Sequence, residues 1–261
     1  MAEFAGRVVL LGASNVARGI SIVVESARLV CSAPLELLAA FGHGRSYGVP
    51  AGVWGRTLPG IVQCGLWRAL EEQQGLTEQQ ALRTVALVAD VGNDLAYGFT
   101  AEQVAEWVEI CLQRLVAVEA RTAIMRLPLA VLERLPAWQF ELMRRVLFPR
   151  RRIVRSEVLR QAASLDEALV RLAAEYGARA VEPRAEWYGL DPIHLRRAVW
   201  SDAWGAMLGS AMGTAARAQG SLRRWLYLRT RLPHEQRWLG WQQRRAQPCG
   251  RLADGTRLWF Y

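Results

Sequence analysis

At 261 residues, with 52% apolar and 22% charged side chains, the chain has the length of one large α/β domain and a composition that excludes the disordered and fibrous classes. Its formal charge of +9 comes from 33 basic residues, all arginine, which favours polyanions and acidic surfaces by long-range attraction without assigning a function. Cys31, Cys64, Cys111 and Cys249 stand apart, with no CxxC spacing and no adjacent His, so the chain carries no zinc or dithiol motif and its thiols read as reduced and mostly buried.

The first element is RVVLL at 7–11, a continuous apolar run closed by Gly12, which predicts a strand buried on both faces. From Asn15 to about Val30 the apolar residues fall at helical spacing, so the chain runs strand, tight turn, helix. Further buried strands are predicted at 35–41, 84–91 and 122–127, with a weaker one at 179–183. Helices are predicted at about 57–74, 101–118, 136–147, 156–176 and 195–216. Alternating strands and helices imply a three-layer α/β/α sandwich around a mostly parallel, flavodoxin-like sheet. Residues 42–60, rich in Gly and Pro, form a long loop after the second strand, where such sheets bind ligands. The segment 219–261 differs in texture, with nine Arg against one Glu and one Asp and with Trp225, Trp238, Trp241 and Trp259. It reads as a small C-terminal appendage to a domain spanning 1–218, ending in a two-residue hairpin turn at Asp254-Gly255. The N-terminus has an acidic residue and a short apolar run where a signal peptide needs a basic start and a longer one, and no segment is long enough to span a membrane; a cytoplasmic location is expected.

Ser14 follows the first strand at the entry to a helix, at the carboxyl edge of the sheet, where unsatisfied helix N–H groups favour developing negative charge. Ser14 or Asn15 is equally a plain helix cap. Two other loops reach the same edge. VADVGNDLAYG puts Asn93 after another buried strand, and DPIH places Asp191 three residues before His194, close enough for the carboxylate to hold Nδ1 and leave Nε2 as a base.

In chain order, Gly12-Ala13-Ser14-Asn15, FGHGRSYG, Gly92-Asn93-Asp94 and Asp191-Pro192-Ile193-His194 resemble the conserved blocks of the SGNH, or GDSL-type, hydrolases over about residues 7–215. The resemblance implies Ser14 as nucleophile, His194 as general base and Asp191 as its orienting partner. It implies an oxyanion hole from the Ser14 backbone N–H, the Asn93 amide and a glycine N–H, assigned to Gly44 with Gly42 and Gly48 as alternatives. The expected reaction is cleavage of an acyl ester in a small acylated substrate through an acyl-enzyme, without metal or cofactor; an O-acyltransferase shares that intermediate. Ala13 stands where the family has an Asp, which removes a local hydrogen-bonding group, and Val91 stands where the third block often has Gly. Arg45, Tyr47 and Trp54 in the second-block loop are candidate substrate contacts, Arg45 for an anionic group, with packing or exposure to solvent as their plain alternatives.

Other readings fit less well. GHGRSYG has GxGxxxG spacing and no helix opening behind it, and GASNVARG lacks both the spacing and the Lys of a phosphate loop. The arginines from Arg144 to Arg155 and the Arg/Trp tail permit a polyanion-binding module, against which stands a solvated basic face with packed Trp residues, making nucleic acid the less favoured partner. A scaffold that binds acyl or sugar ligands without catalysis is a third alternative. The sequence assigns no oligomeric state.

Overall fold

In the computed structural model, which describes residues 4–75, 83–147, 154–214 and 217–261, Gly6–Leu11 forms β1 and is buried throughout. An apolar run without alternation can be satisfied only with cover on both faces. β1 leads into α1 (Ser14–Val30), then β2 (Leu35–Ala40), a short β3 (Arg56–Thr57) and α2 (Leu66–Gly75). Next come β4 (Thr84–Val88), a single turn α3 (Asn93–Ala96), α4 (Ala101–Ala117) and β5 (Arg121–Met125). α5 (Leu129–Arg134), α6 (Ala137–Leu147), α7 (Arg155–Glu175), β6 (Arg179–Val181) and α8 (Trp200–Met212) follow. The chain closes with α9 (Leu222–Arg229), β7 (Glu235–Trp238), β8 (Trp241–Arg244), β9 (Gly250–Arg251) and β10 (Arg257–Phe260).

The central sheet has the order β6-β5-β4-β1-β2-β10-β9, parallel throughout except for β9. Alternate residues of each strand serve opposite cores. Val8, Leu10 and Leu37 pack with Ile20 of α1 and Trp204 and Leu208 of α8. Val9, Leu11 and Leu38 pack with Leu70 of α2, Val104 of α4 and Leu165 of α7. The three-layer α/β/α arrangement follows directly. One charged pair lies inside it: Arg7 on β1 donates to Glu36 on β2 at 2.7 and 2.9 Å, so the two buried charges answer each other.

Several expected boundaries move for local reasons. The helix expected over 57–74 begins only at Leu66, after a 3-10 turn at Ile61–Gln63. Pro59 and Gly60 interrupt it, and Gly60 lies so close to Gly48 that a Cβ would come within 2.7 Å of its backbone. The helix expected from 195 starts at Trp200, because the backbone is still extended at Arg196 (ψ 141°) and passes through a 3-10 turn at Arg197–Val199; Gly213, with φ 75°, ends it. α3 and α5 are helices the spacing did not announce.

The largest correction concerns 219–261. These residues are no separate appendage, since β10 pairs in parallel with β2 inside the main sheet and β9 pairs antiparallel with β10. Leu258 and Phe260 on β10 are buried in the core shared with α1 and α8. The β9–β10 connection is also longer than a two-residue turn: Leu252 N–H reaches the Thr256 carbonyl, leaving the three residues Ala253, Asp254 and Gly255, with Gly255 at φ 94°. β7 and β8 form a separate three-stranded sheet with β3.

Cys64 and Cys111 are buried and Cys31 and Cys249 half-buried, all as free thiols. Of the basic run, Arg150, Arg151, Arg152 and the side chain of Arg144 lie outside the described residues, while exposed Arg145 pairs with Glu141 and Arg155 bonds the Glu133 carbonyl. Among the described residues no helix is long and apolar enough to cross a membrane.

Candidate active site

β1 lies between β2 and β4 where the strand order reverses, so its carboxyl end opens into the crevice at which such sheets bind ligands. Ser14 is the first residue there to enter a helix. Gly12 is required just before it, because a Cβ would meet Val16 at 2.5 Å and crowd the Asp90 carboxylate at 3.3 Å.

The first amides of α1 need an acceptor, and no side chain at the helix start supplies one. Asp90, at the end of β4, does so across the sheet. Its Oδ2 accepts from the Ala13, Asn15 and Val16 N–H groups at 2.7, 3.1 and 3.4 Å. Asp90 adopts φ 61°, an uncommon backbone for a non-glycine residue, and thereby supplies the group that Ala13 lacks. The plain cap reading of Ser14 is therefore unmet. Its hydroxyl instead stands 2.9 Å from His194 Nε2, and His194 Nδ1 stands 2.5 Å from Asp191 Oδ2.

The other Asp191 oxygen accepts from the Ile193 and His194 amides at 3.0 and 3.2 Å, so the DPIH turn folds back on itself. Burial pushes the Asp191 carboxyl up, but the His194 imidazole and these two amides together hold it below the ordinary carboxylate range. Asn15 ties the two halves together. Its Nδ2 donates to Asp90 Oδ1 at 2.6 Å and to the Ile193 carbonyl at 3.0 Å, while its Oδ1 accepts from Leu195 N–H at 2.8 Å.

Three N–H donors at this edge make no hydrogen bond within the described chain: the backbone of Ser14, the backbone of Gly44 and the side-chain amide of Asn93. Gly44 has φ 65° and its carbonyl accepts from Tyr97 Oη at 2.6 Å, which fixes the turn. Gly48 is a poor alternative, because its N–H is taken by Ser46 Oγ and the residue abuts Trp107. Gly42 keeps its place as an alternative to Gly44.

Two expected substrate contacts are corrected. Arg45 is 1% exposed and donates to the carbonyls of Phe41 and Tyr261, so it joins the second-block loop to the residue after β10 and does not line the cavity beside Asn93. Tyr47 is equally buried, its hydroxyl donating to the Ala89 carbonyl at 2.8 Å behind the strand ends. Trp54 is 84% exposed, with its ring 6.1 Å from that of His43. From the sequence Asp90, two residues before Gly92, had no role assigned, and Asn15 only that of an alternative helix cap.

A cavity of about 160 Å³ adjoins this constellation. Its walls are mainly apolar, including Leu95, Met125, Leu127 and Phe140. Ser14 and His194 do not line it, but Asn15, Asn93 and Ile193 do.

No family model matches the chain, and no curated protein does. Among solved structures it is similar to the psychrotrophic esterase EstA from Pseudoalteromonas sp., at 13% identity over 85% of this chain and 99% of that one, with a TM-score of 0.44. It is also similar to TesA, at 13% identity over 78% of this chain and 97% of that one, with a TM-score of 0.46. A third is AlinE4, an SGNH-hydrolase family esterase, at 15% identity over 69% of this chain and 77% of that one, with a TM-score of 0.37.

Proposed function

We propose that the chain is a serine hydrolase that cleaves an acyl ester through an acyl-enzyme on Ser14. The observation that carries this assignment is the unbroken series from the Ser14 hydroxyl to His194 Nε2 at 2.9 Å and from His194 Nδ1 to Asp191 at 2.5 Å, with the hydroxyl not spent as a helix cap. A serine hydroxyl is a weak nucleophile until a positioned base takes its proton during attack. His194 takes it at Nε2. Asp191, holding Nδ1–H, keeps the imidazole in the required tautomer and offsets the charge it acquires. The tetrahedral oxyanion is met by the Ser14 and Gly44 N–H groups and the Asn93 amide, at the positive end of α1. His194 then returns the proton to the leaving alcohol, and water, activated by the same imidazole, releases the acid. The apolar cavity beside Asn93 suits a hydrocarbon part of the substrate.

A fluorophosphonate probe tests the assignment. Labelling is expected on Ser14 and should disappear in Ser14→Ala. Asn93→Ala should lower kcat about 100- to 1000-fold with little change in KM. Labelling that survives in Ser14→Ala, or an Asn93→Ala variant that loses KM and keeps kcat, contradicts it.

A further inference from the structure

The β7–β8 hairpin turns through Leu239 and Gly240, with φ of 47° and 90°, and Trp238 faces Trp241 across the closing pair. β3 extends this ribbon by pairing Arg56 with Trp238, and Leu239 N–H donates to the Gly55 carbonyl at 2.8 Å. Four large apolar side chains therefore gather at one end of a small sheet and face solvent: Trp54 at 84% exposure, Trp241 at 78%, Leu239 at 68% and Trp238 at 44%. Single exposed apolar residues need no explanation, but a contiguous group at a hairpin tip does. The same hairpin carries exposed Arg237, Arg244 and Arg245 against one acid, Glu235, which already has Arg244 and Gln242 as partners.

We infer that this tip docks on the surface of an anionic phospholipid bilayer. Tryptophan side chains favour the boundary between headgroups and hydrocarbon, and the arginines behind them answer the negative surface potential. Leu239 at the apex adds aliphatic surface that hydrocarbon accepts and that gives a base or a sugar no ring face to stack on, which tells for the bilayer beyond what the three Trp rings alone decide. The tip also adjoins the candidate active site. Trp54 lies against His43, the residue before Gly44, and the His43 imidazole is lowered by burial first, then by Arg18, Arg229, His194 and Arg56. Through Trp54 and His43, a docked hairpin sets the Gly44 turn of the candidate site close to the membrane surface, where lipid esters are presented. That last consequence rests on the proposed hydrolase reading; the docking itself does not.

Flotation with vesicles separates the two. Wild type and Ser14→Ala are both expected to float with vesicles of phosphatidylglycerol and phosphatidylcholine in equal parts, less so as salt is raised, and weakly with phosphatidylcholine alone. The double variant Leu239→Asp/Trp241→Ser should weaken partition about 100-fold while its hydrolysis of a soluble short-chain ester stays at the wild-type rate. Arg237→Gln and Arg245→Gln should each weaken binding to the mixed vesicles about fivefold. The inference is overturned if wild type does not float, if it floats equally with both vesicles, or if the double variant floats as wild type does. It is also overturned if the double variant loses binding to a soluble polysaccharide or to single-stranded DNA in place of binding to vesicles.

Discussion

Asn15 makes three hydrogen bonds to two segments far away in the chain, the end of β4 and the turn that carries His194. It therefore sets the separation of the Ser14 hydroxyl from the imidazole, and a shift of about 1 Å in such a pair costs roughly 100-fold in rate. Asn15→Ala is expected to lower kcat by about that factor while leaving KM nearly unchanged. Asn15→Asp should rescue nothing, since it sets a second carboxylate against Asp90. Steady-state kinetics on both variants, beside urea unfolding, checks this; a loss of stability with kcat preserved would make Asn15 a structural tie only. Ser14, Asp191 and His194 were legible because their chemistry demands particular residue types in short motifs. Asp90 was not, because a carboxylate that caps a helix 75 residues upstream leaves no local spacing to read.

The loop from 42 to 60 shows the same division one scale up. Its Gly and Pro content announced an irregular segment, yet its side chains Arg45 and Tyr47 point inward as anchors. Buried Asp94 of α3 completes that anchoring, accepting from Ser46 Oγ and from Tyr47 N–H at 2.8 Å. Burial pushes the Asp94 carboxyl up to about 6, against the lowering effect of those two bonds. A carboxyl raised in the folded state binds its proton more tightly there than in the unfolded chain. Its contribution to stability is thus full below about pH 4 and is lost as pH rises through about 6, an effect of order 3 kcal/mol. Asp94→Asn carries no such titration. Wild type should lose stability relative to this variant between pH 4 and pH 6.5 in urea unfolding, and parallel stability curves would refute the assignment.

For the molecule as a whole, the decisive feature is β10, the second neighbour of β2. Without it β2 becomes an edge strand whose six residues are all buried in the native fold, and an uncovered apolar edge invites pairing with other chains. Residues 1–218 expressed alone are expected to aggregate, and Leu258→Ala in the full chain should cost about 2–5 kcal/mol in urea unfolding. A soluble, labelled 1–218 fragment would restore the division into domain and appendage. By itself the sequence determined the alternation of strands and helices, the parallel three-layer class and the three loops that bear Ser14, Asn93 and the Asp191–His194 turn. Those properties are written in periodicity and in short motifs, both of which act over a few residues. The tertiary structure alone decided which acid caps α1, which loop residues face inward, and where the last strand goes. Each of these depends on the pairing of segments remote in the chain, whose free energy comes from burial and hydrogen bonds that exist only once both partners are in place.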